Sequence, residues 1–255
     1  YFPFSLFSRN ATPFITTLHG RLDLPEHQVV FDVFNRAPVI SISDAQRGPV
    51  PSAHWIETIY HGLPANLLRP GPAKPGYLAV LGRIAPEKAV DRAIHIARRA
   101  SMPLKIAAKV DPVDRQYFEH EIRPLLDLPG IEYVGEINDG QKSEFLSGAI
   151  GLLMPIDWPE PFGLVMIEAM ACGTPVLAYP GGSVPEIVED GLTGFIVNNE
   201  AEAVDAVRRL PELSRPGIRA RFEERFTARR MAMDYLSVYR RMAESHAPRL
   251  RVVTA

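Results

Sequence analysis

Ile150-Gly-Leu-Leu-Met154, Leu164-Val-Met-Ile-Glu-Ala-Met-Ala171 and Pro175-Val-Leu-Ala-Tyr179 follow one another as a short apolar run, a longer apolar run and a second short apolar run. The outer two have the length of strands and no polar alternation, which is how strands buried on both faces read. The middle one is apolar all round except for Glu168, and a helix with no polar stripe is a buried helix. Strand, helix and strand in this order make a parallel unit with a right-handed crossover.

The same alternation runs outward in both directions. Toward the amino end, Tyr77-Leu-Ala-Val-Leu81 is closed by Gly82, and Val90, Ala93, Ile94 and Ala97 then recur at helical spacing over residues 89–100. Leu104–Val110 is a strand, 114–127 a helix that Pro124 is expected to bend or end, Ile131–Val134 a strand and Gln141–Ser147 a short helix. Toward the carboxyl end come Phe195-Ile-Val197 and a helix over Glu200–Leu210, with a last helix at 227–243. The fold class is α/β: a doubly wound parallel sheet. Such sheets bind ligands beyond the carboxyl ends of their strands, so the loops after Leu81, Val110, Val134, Met154 and Tyr179 are where chemistry is expected.

The first 60 residues are less regular. Phe14–Leu18, Pro38–Ile42 and Ile56–Tyr60 read as strands and Val29–Phe34 as a helix, too little for a second complete domain of this kind. Leu68-Arg-Pro-Gly-Pro-Ala-Lys-Pro-Gly76 reads as a linker. The expected organisation is an incomplete first α/β domain over 1–66, a ligand-binding domain over 67–226 and a carboxyl-terminal helix over 227–255 that returns to the first.

Lys and Arg total 28 against 30 Asp and Glu, a formal charge of −2. That gives no general attraction to nucleic acid or to an anionic membrane, so any phosphate binding rests on a few placed groups. No apolar run reaches the roughly 20 residues of a membrane-spanning helix. Tyr1 to Asn10 carries no signal-peptide pattern, and Cys172 is the one cysteine, so no internal disulfide forms and a cytoplasmic setting is expected. Between Met170-Ala171 and Gly173, Cys172 reads as a small core residue rather than a nucleophile.

Pro159-Glu-Pro-Phe-Gly-Leu-Val-Met-Ile-Glu168 carries the chemistry. A buried strand ends at Met154, a loop presents Glu160, and a helix opens near Gly163 with unpaired N–H groups that favour an anion. Gly163 lets a ligand approach the backbone. Glu168, among apolar neighbours, needs a partner: a structural arginine, or a diol such as a ribose, which offers two donors to one carboxylate.

Glu160-Pro-Phe-Gly-Leu with Glu168, seven residues between the two acids, resembles the E-x7-E motif of the retaining GT-B glycosyltransferases, family 4 (glycosyl transferases group 1). So do Ala169-Met-Ala-Cys-Gly-Thr-Pro-Val176, Gly181-Gly-Ser-Val-Pro-Glu186 and Asp190-Gly-Leu-Thr-Gly-Phe195. The resemblance covers most of residues 57–243. It implies a hexosyl-type transferase that moves a sugar from a nucleoside diphosphate to an acceptor with retention, with no resident cofactor. Within Gly82-Arg83-Ile-Ala-Pro-Glu-Lys88 it makes Arg83 and Lys88 the clamp on the donor diphosphate. The family usually has Gly after that lysine, so Ala89 predicts a different local turn. Backbone around Glu136 and Ile137 receives the nucleobase, and Phe162, Gly163 and Leu164 border the donor. Glu160 faces the transferred sugar and Glu168 holds the ribose. His19, at the end of Phe14–Leu18, faces the sugar from the other domain, with Ser43, Arg47 and His61-Gly62 ranked below it. Trp158 is placed either to stack on a ligand or to pack in the core. There is no Asp-x-Asp pair to carry a divalent ion, so metal-independent donor binding is expected.

The start of the amino-terminal domain that the resemblance implies, with a glycine-rich loop facing the donor, is absent from this sequence, which begins without Met; catalysis is expected where upstream residues supply it. The competing readings are a nucleotide-sugar epimerase, a phosphorylase and a non-catalytic nucleotide-sugar-binding module. No Gly-x-Gly-x-x-Gly follows a strand, which argues against a dinucleotide oxidoreductase.

Overall fold

The computed structural model describes residue 4 and residues 13–71 and 76–246. The reading of Tyr1–Asn10 therefore falls, Phe4 apart, outside the described residues, as do positions 72–75 of the proline-rich stretch and 247–255.

Two parallel sheets organise the chain. The first holds β1 (Thr16–Thr17), β2 (Pro38–Ser41) and β3 (His54–Thr58) in that order, with α1 (Pro25–Val33) between β1 and β2. The second holds β4 (Tyr77–Arg83), β5 (Leu104–Lys109), β6 (Ile131–Gly135), β7 (Ala149–Met154), β8 (Val176–Ala178) and β9 (Gly194–Ile196), in the order β6-β5-β4-β7-β8-β9. The order reverses between β4 and β7, so these neighbours send their following segments to opposite sides and leave a crevice beyond their carboxyl ends.

The helices α2 (Val90–Arg99), α4 (Asp139–Ser147), α5 (Leu164–Ala171) and α7 (Glu200–Arg209) cover the two faces. Two apolar layers result. One lies under α2 and α7 with Ile94, Ile106 and Val207; the other lies under α4 and α5 with Leu146, Met166 and Leu152. Strands covered on both faces must be apolar on both, which is why β7 and β8 carry no polar alternation.

Several details differ from the sequence reading. The segment 115–126 (α3) does not stop at Pro124. It runs as α, then a π-helical turn over Phe118–Ile122, then α to Leu126. The wider turn accommodates the residue that lacks an N–H and crowds the carbonyl four positions back. Two helices went unread: α6 (Val184–Ile187) and α8 (Arg215–Arg225). The second has its signal in plain view, since the Ser214 hydroxyl accepts the Gly217 N–H at 3.2 Å, Pro216 sits in the first turn, and Ile218 and Phe222 bury one face.

The last helix, α9 (Ala228–His246), packs on the first sheet. Val238 is buried with Ile40 and Ile59, the Tyr235 and Thr17 hydroxyls are 2.9 Å apart, and Arg230 donates to the carbonyls of Tyr60 and His61 at 2.7 and 2.9 Å. The chain thus passes between the sheets twice. The two passages are bonded side by side, Leu63 N–H to Phe226 O at 2.9 Å and Ala228 N–H to Leu63 O at 2.8 Å.

Candidate functional site

The crevice beyond β4 and β7 is lined by Leu81, Gly82 and Arg83 from the end of β4 and by Leu164 and Val165 from the first turn of α5. Toward the first sheet it adds Lys88, Met154, Glu160 and Gly163. Toward β5 and β6 it adds Lys109, Glu136, Ile137, Lys142 and Glu168. The two lobes open to solvent and share the wall formed by Leu81, Gly82, Arg83, Leu164 and Val165. Arg83, Lys88 and Glu168, read from three separate stretches of sequence, therefore border one continuous space.

Glu160 is held on both its backbone and its side chain. Its carbonyl accepts the Ser183 N–H at 2.9 Å. Gly182, at φ 57°, comes so close that a Cβ there would lie 2.5 Å from the Glu160 nitrogen. The residue is 7% exposed, and its carboxylate takes the Lys88 ammonium at 2.5 Å and the Trp158 indole N–H at 3.1 Å. The same ammonium lies 4.6 Å from the centre of the Trp158 ring, and the Arg21 guanidinium approaches that ring at 5.8 Å. Trp158 is thus engaged by two cations and an acid, a role the sequence left undecided between stacking on a ligand and core packing.

Lys88 closes a 3₁₀ turn over Pro86–Lys88, and Ala89 then takes the left-handed conformation, φ 50° and ψ 52°. The turn is one that glycine adopts freely and alanine adopts at a cost of about 1–2 kcal/mol.

Gly163 caps α5 at φ 74°, with room for a Cβ limited by Met166 Cε at 2.8 Å and Glu160 Cγ at 3.2 Å. It brings the first, unpaired N–H groups of the helix to the crevice wall. Leu164 is 45% exposed there. Phe162, by contrast, is 2% exposed and does not line the crevice. Its ring meets His61 edge-on at 4.9 Å, and its carbonyl accepts the Ser183 hydroxyl at 2.9 Å.

Glu168, 9% exposed, is not alone. Lys142 of α4 donates to its Oε1 at 2.8 Å and reaches Asp139 at 3.0 Å. Burial acts to lower the Lys142 ammonium, but the bonds to Glu168 and Asp139 together raise it above the usual lysine range. From sequence a structural arginine or a diol is expected as the partner; the structure supplies a lysine. The signal was there: α4 and α5 flank the same strand, and Lys142 is the one cation on the turn of α4 that faces it.

Arg83 is surrounded by Glu87, Asp111 and Asp114 at 3.1, 3.3 and 3.4 Å. Lys109 reaches Asp111 at 2.8 Å and is raised by that bond. Each cation of the crevice is thus balanced by nearby carboxylates.

On the first sheet, His19 and His61 stack at 5.3 Å and 12° between ring planes, so His61, ranked below His19 from sequence, shares its position. Burial, with His19 and Arg230 nearby, pushes the His61 imidazole down to about 4, leaving it neutral near pH 7. Ser43 and Arg47 point elsewhere. The Ser43 hydroxyl accepts the Gln46 N–H at 3.1 Å, and Arg47 donates to the Ser41 hydroxyl at 2.8 Å and lies over Trp55. A smaller cleft joins the sheets, with Arg21 and Gln46 on one side and Glu160 and Gly182 on the other. Burial raises the Cys172 thiol to about 11, which suits an inert core residue. Among the described residues no helix is long and apolar enough to cross a membrane.

Comparison with known proteins identifies the fold and the family. The alpha-maltose-1-phosphate synthase of Mycobacterium tuberculosis is 28% identical over 190 residues, 64% of this chain and 49% of that protein. The D-inositol 3-phosphate glycosyltransferase of Mycobacterium bovis is 31% identical over 198 residues, 69% of this chain and 40% of that protein. The chain spans about half the length of the curated relatives it matches. Among solved structures, a sucrose-phosphate synthase from Thermosynechococcus elongatus superimposes with a TM-score of 0.81 at 22% identity, over 94% of this chain and 70% of that one. HepE of Anabaena, solved with UDP and glucose, superimposes with a TM-score of 0.72 at 22% identity, over 94% and 72%. These likenesses establish the GT-B type of fold. Residues 69–228 match the family described as Glycosyl transferases group 1, and the chain belongs to that family.

Proposed function

We propose that the chain forms the donor-binding half of a retaining, family 4 type glycosyltransferase, which takes a hexosyl group from a nucleoside diphosphate sugar. The observation that carries this reading is the convergence of Arg83, Lys88, the amino end of α5, Glu160 and Glu168 on one crevice at the strand-order reversal. A nucleotide binds such a crevice with its phosphates toward a helix amino end. The match to HepE, which was solved with UDP and with UDP-glucose, supports a nucleotide-sugar donor.

In this reading Glu168 accepts the ribose hydroxyls, and backbone at Glu136 and Ile137 receives the base. Arg83, Lys88 and the first N–H groups after Gly163 take the charge that grows on the departing diphosphate, so metal-independent donor binding is expected. Charge builds on the sugar in an oxocarbenium-like transition state. Glu160 stabilises it on one side, and His19 and the neutral His61 offer hydrogen bonds from the other sheet. Lys88 then has two partners in turn. It neutralises Glu160 until a diphosphate arrives, and its move to the diphosphate leaves the carboxylate free to face positive charge.

Calorimetry against a panel of nucleoside diphosphates, with and without chelator, tests the donor site. Glu168→Ala weakens nucleoside diphosphate binding, whereas Glu160→Ala preserves it and slows sugar release from the donor. The reverse pattern overturns the assignment. A chelator that abolishes binding overturns metal independence. The anomer first released, read by NMR, decides retention. Binding without sugar release to water or to any acceptor, with the acceptor half supplied, would favour the non-catalytic module.

A further inference from the structure

Glu160 and Glu168 are each paired with a lysine, and the two pairs are built differently. Lys88 has one carboxylate partner, Glu160, and lines the lobe that the diphosphate would enter. Lys142 has two, Glu168 at 2.8 Å and Asp139 at 3.0 Å, and sits one turn into a helix whose amino end is closed by the Asn138–Gln141 capping box. A lysine held between two acids on a capped helix stays where it is. Its bond goes to Oε1 of Glu168, and among the described residues no side chain bonds Oε2.

We infer that Lys142 is the positioning residue for the nucleoside: it fixes the Glu168 carboxylate by one oxygen and leaves the other turned to the crevice, as acceptor for the vicinal hydroxyls of a ribose. This rests on the reading of Glu168 given above. Without the cation, the carboxylate of this buried glutamate loses its counter-charge and its fixed rotamer, and a two-point contact with a diol needs both. Lys142 acts through Glu168, so its effect falls on ligands that carry the ribose and spares those that do not.

The test is calorimetry with UDP and with inorganic pyrophosphate on the wild type and on Lys142→Met, Lys142→Arg and Glu168→Ala. Lys142→Met is expected to weaken UDP binding about tenfold, the size of one hydrogen bond to a charged group, and to leave pyrophosphate affinity unchanged. Lys142→Arg restores most of the UDP affinity. In turnover, KM for the donor rises while kcat holds. If Lys142→Met does not fold, Lys142→Gln, polar and uncharged, gives the same comparison. If Glu168→Ala loses UDP and the Lys142 variants keep it, the positioning role is wrong and the site reading stands. If pyrophosphate weakens as much as UDP, Lys142 touches the diphosphate itself, and the inference is overturned. If Glu168→Ala binds UDP as the wild type does, the site reading has failed first.

Discussion

Glu186 and Tyr60 meet at the junction of the two sheets, the phenol donating to the carboxylate Oε2 at 3.0 Å. The same carboxylate accepts the backbone N–H groups of Asp44 and Ala45 at 2.7 Å each, so one side chain from the second sheet fastens a turn of the first. Burial, and then Glu186, raises the Tyr60 hydroxyl to about 12, so it stays a donor over the whole working range of pH. Glu186→Ala removes the acceptor for three donors. Because two of the bonds are exposed to solvent, the expected loss is about 2–3 kcal/mol rather than the full sum of three charged hydrogen bonds. Urea unfolding reads it, and Tyr60→Phe should lose about 1 kcal/mol by the same measure. An unfolding midpoint of Glu186→Ala equal to that of the wild type would show that the fastening contributes nothing.

Ala89 gives a prediction of unusual sign. Ala→Gly near a helix start ordinarily destabilises by about 0.5–1 kcal/mol, because glycine loses more backbone freedom on folding. Here the alanine already sits at φ 50° and is buried, so the substitution also relieves left-handed strain of about 1–2 kcal/mol. Ala89→Gly is therefore expected to be neutral or to stabilise by up to about 1 kcal/mol. A loss above 1 kcal/mol in denaturant would mean that the methyl group packs better than its backbone suggests.

How much of this was legible follows from where each signal resides. The central strands β4, β7 and β8 of the second sheet could be read directly, because burial on both faces leaves a short apolar run of strand length. The acids, the glycine cap and the cations of β4 stood in contiguous motifs. What stayed hidden depends on pairing between distant segments. The Lys142 bond to Glu168 spans 26 positions, the Glu186 clasp spans 142, and the His19–His61 stack joins two loops of the first sheet. None has a local signature. The short first sheet was hard for another reason: β1 pairs over two residues, too few for a periodicity to show.

The His61 imidazole titrates in a direction that can be measured. Its folded value is about 4 against 6.5 in a free chain, with burial as the main cause. Above pH 6.5 it is neutral in both states and contributes no pH dependence. As pH falls from 6.5 toward 4 the unfolded chain takes the proton and the folded one does not, so stability declines through that window, by at most about 3 kcal/mol. The difference in unfolding free energy between the wild type and His61→Gln, followed from pH 7 to pH 4.5, isolates this group from the carboxylates. A difference that is flat with pH would show that the imidazole is solvated in the folded state.

Gly182 ties the loop of Glu160 to the rest of the sheet, and the closeness of that contact decides what a methyl group would do. A Cβ there would fall 2.5 Å from the Glu160 nitrogen and 2.7 Å from the Pro159 carbonyl carbon, both backbone atoms that cannot swing aside, and φ is already 57°. Gly182→Ala must therefore move residues 159–160 as a unit, and with them the carboxylate that holds Lys88. The expected result is a stability loss of about 1–3 kcal/mol together with slower sugar release, while UDP binding through Glu168, on the far lobe of the crevice, changes little. Gly163→Ala makes the contrast. Its Cβ meets chiefly the ends of Met166 and Met154, which can yield, so its cost comes mainly from φ 74° and it falls on the amino end of α5, where the diphosphate would bind. Calorimetry with UDP therefore separates the two glycines. If Gly182→Ala weakens UDP as much as Gly163→Ala does, the two lobes move together, and Glu160 and Glu168 cannot be varied independently.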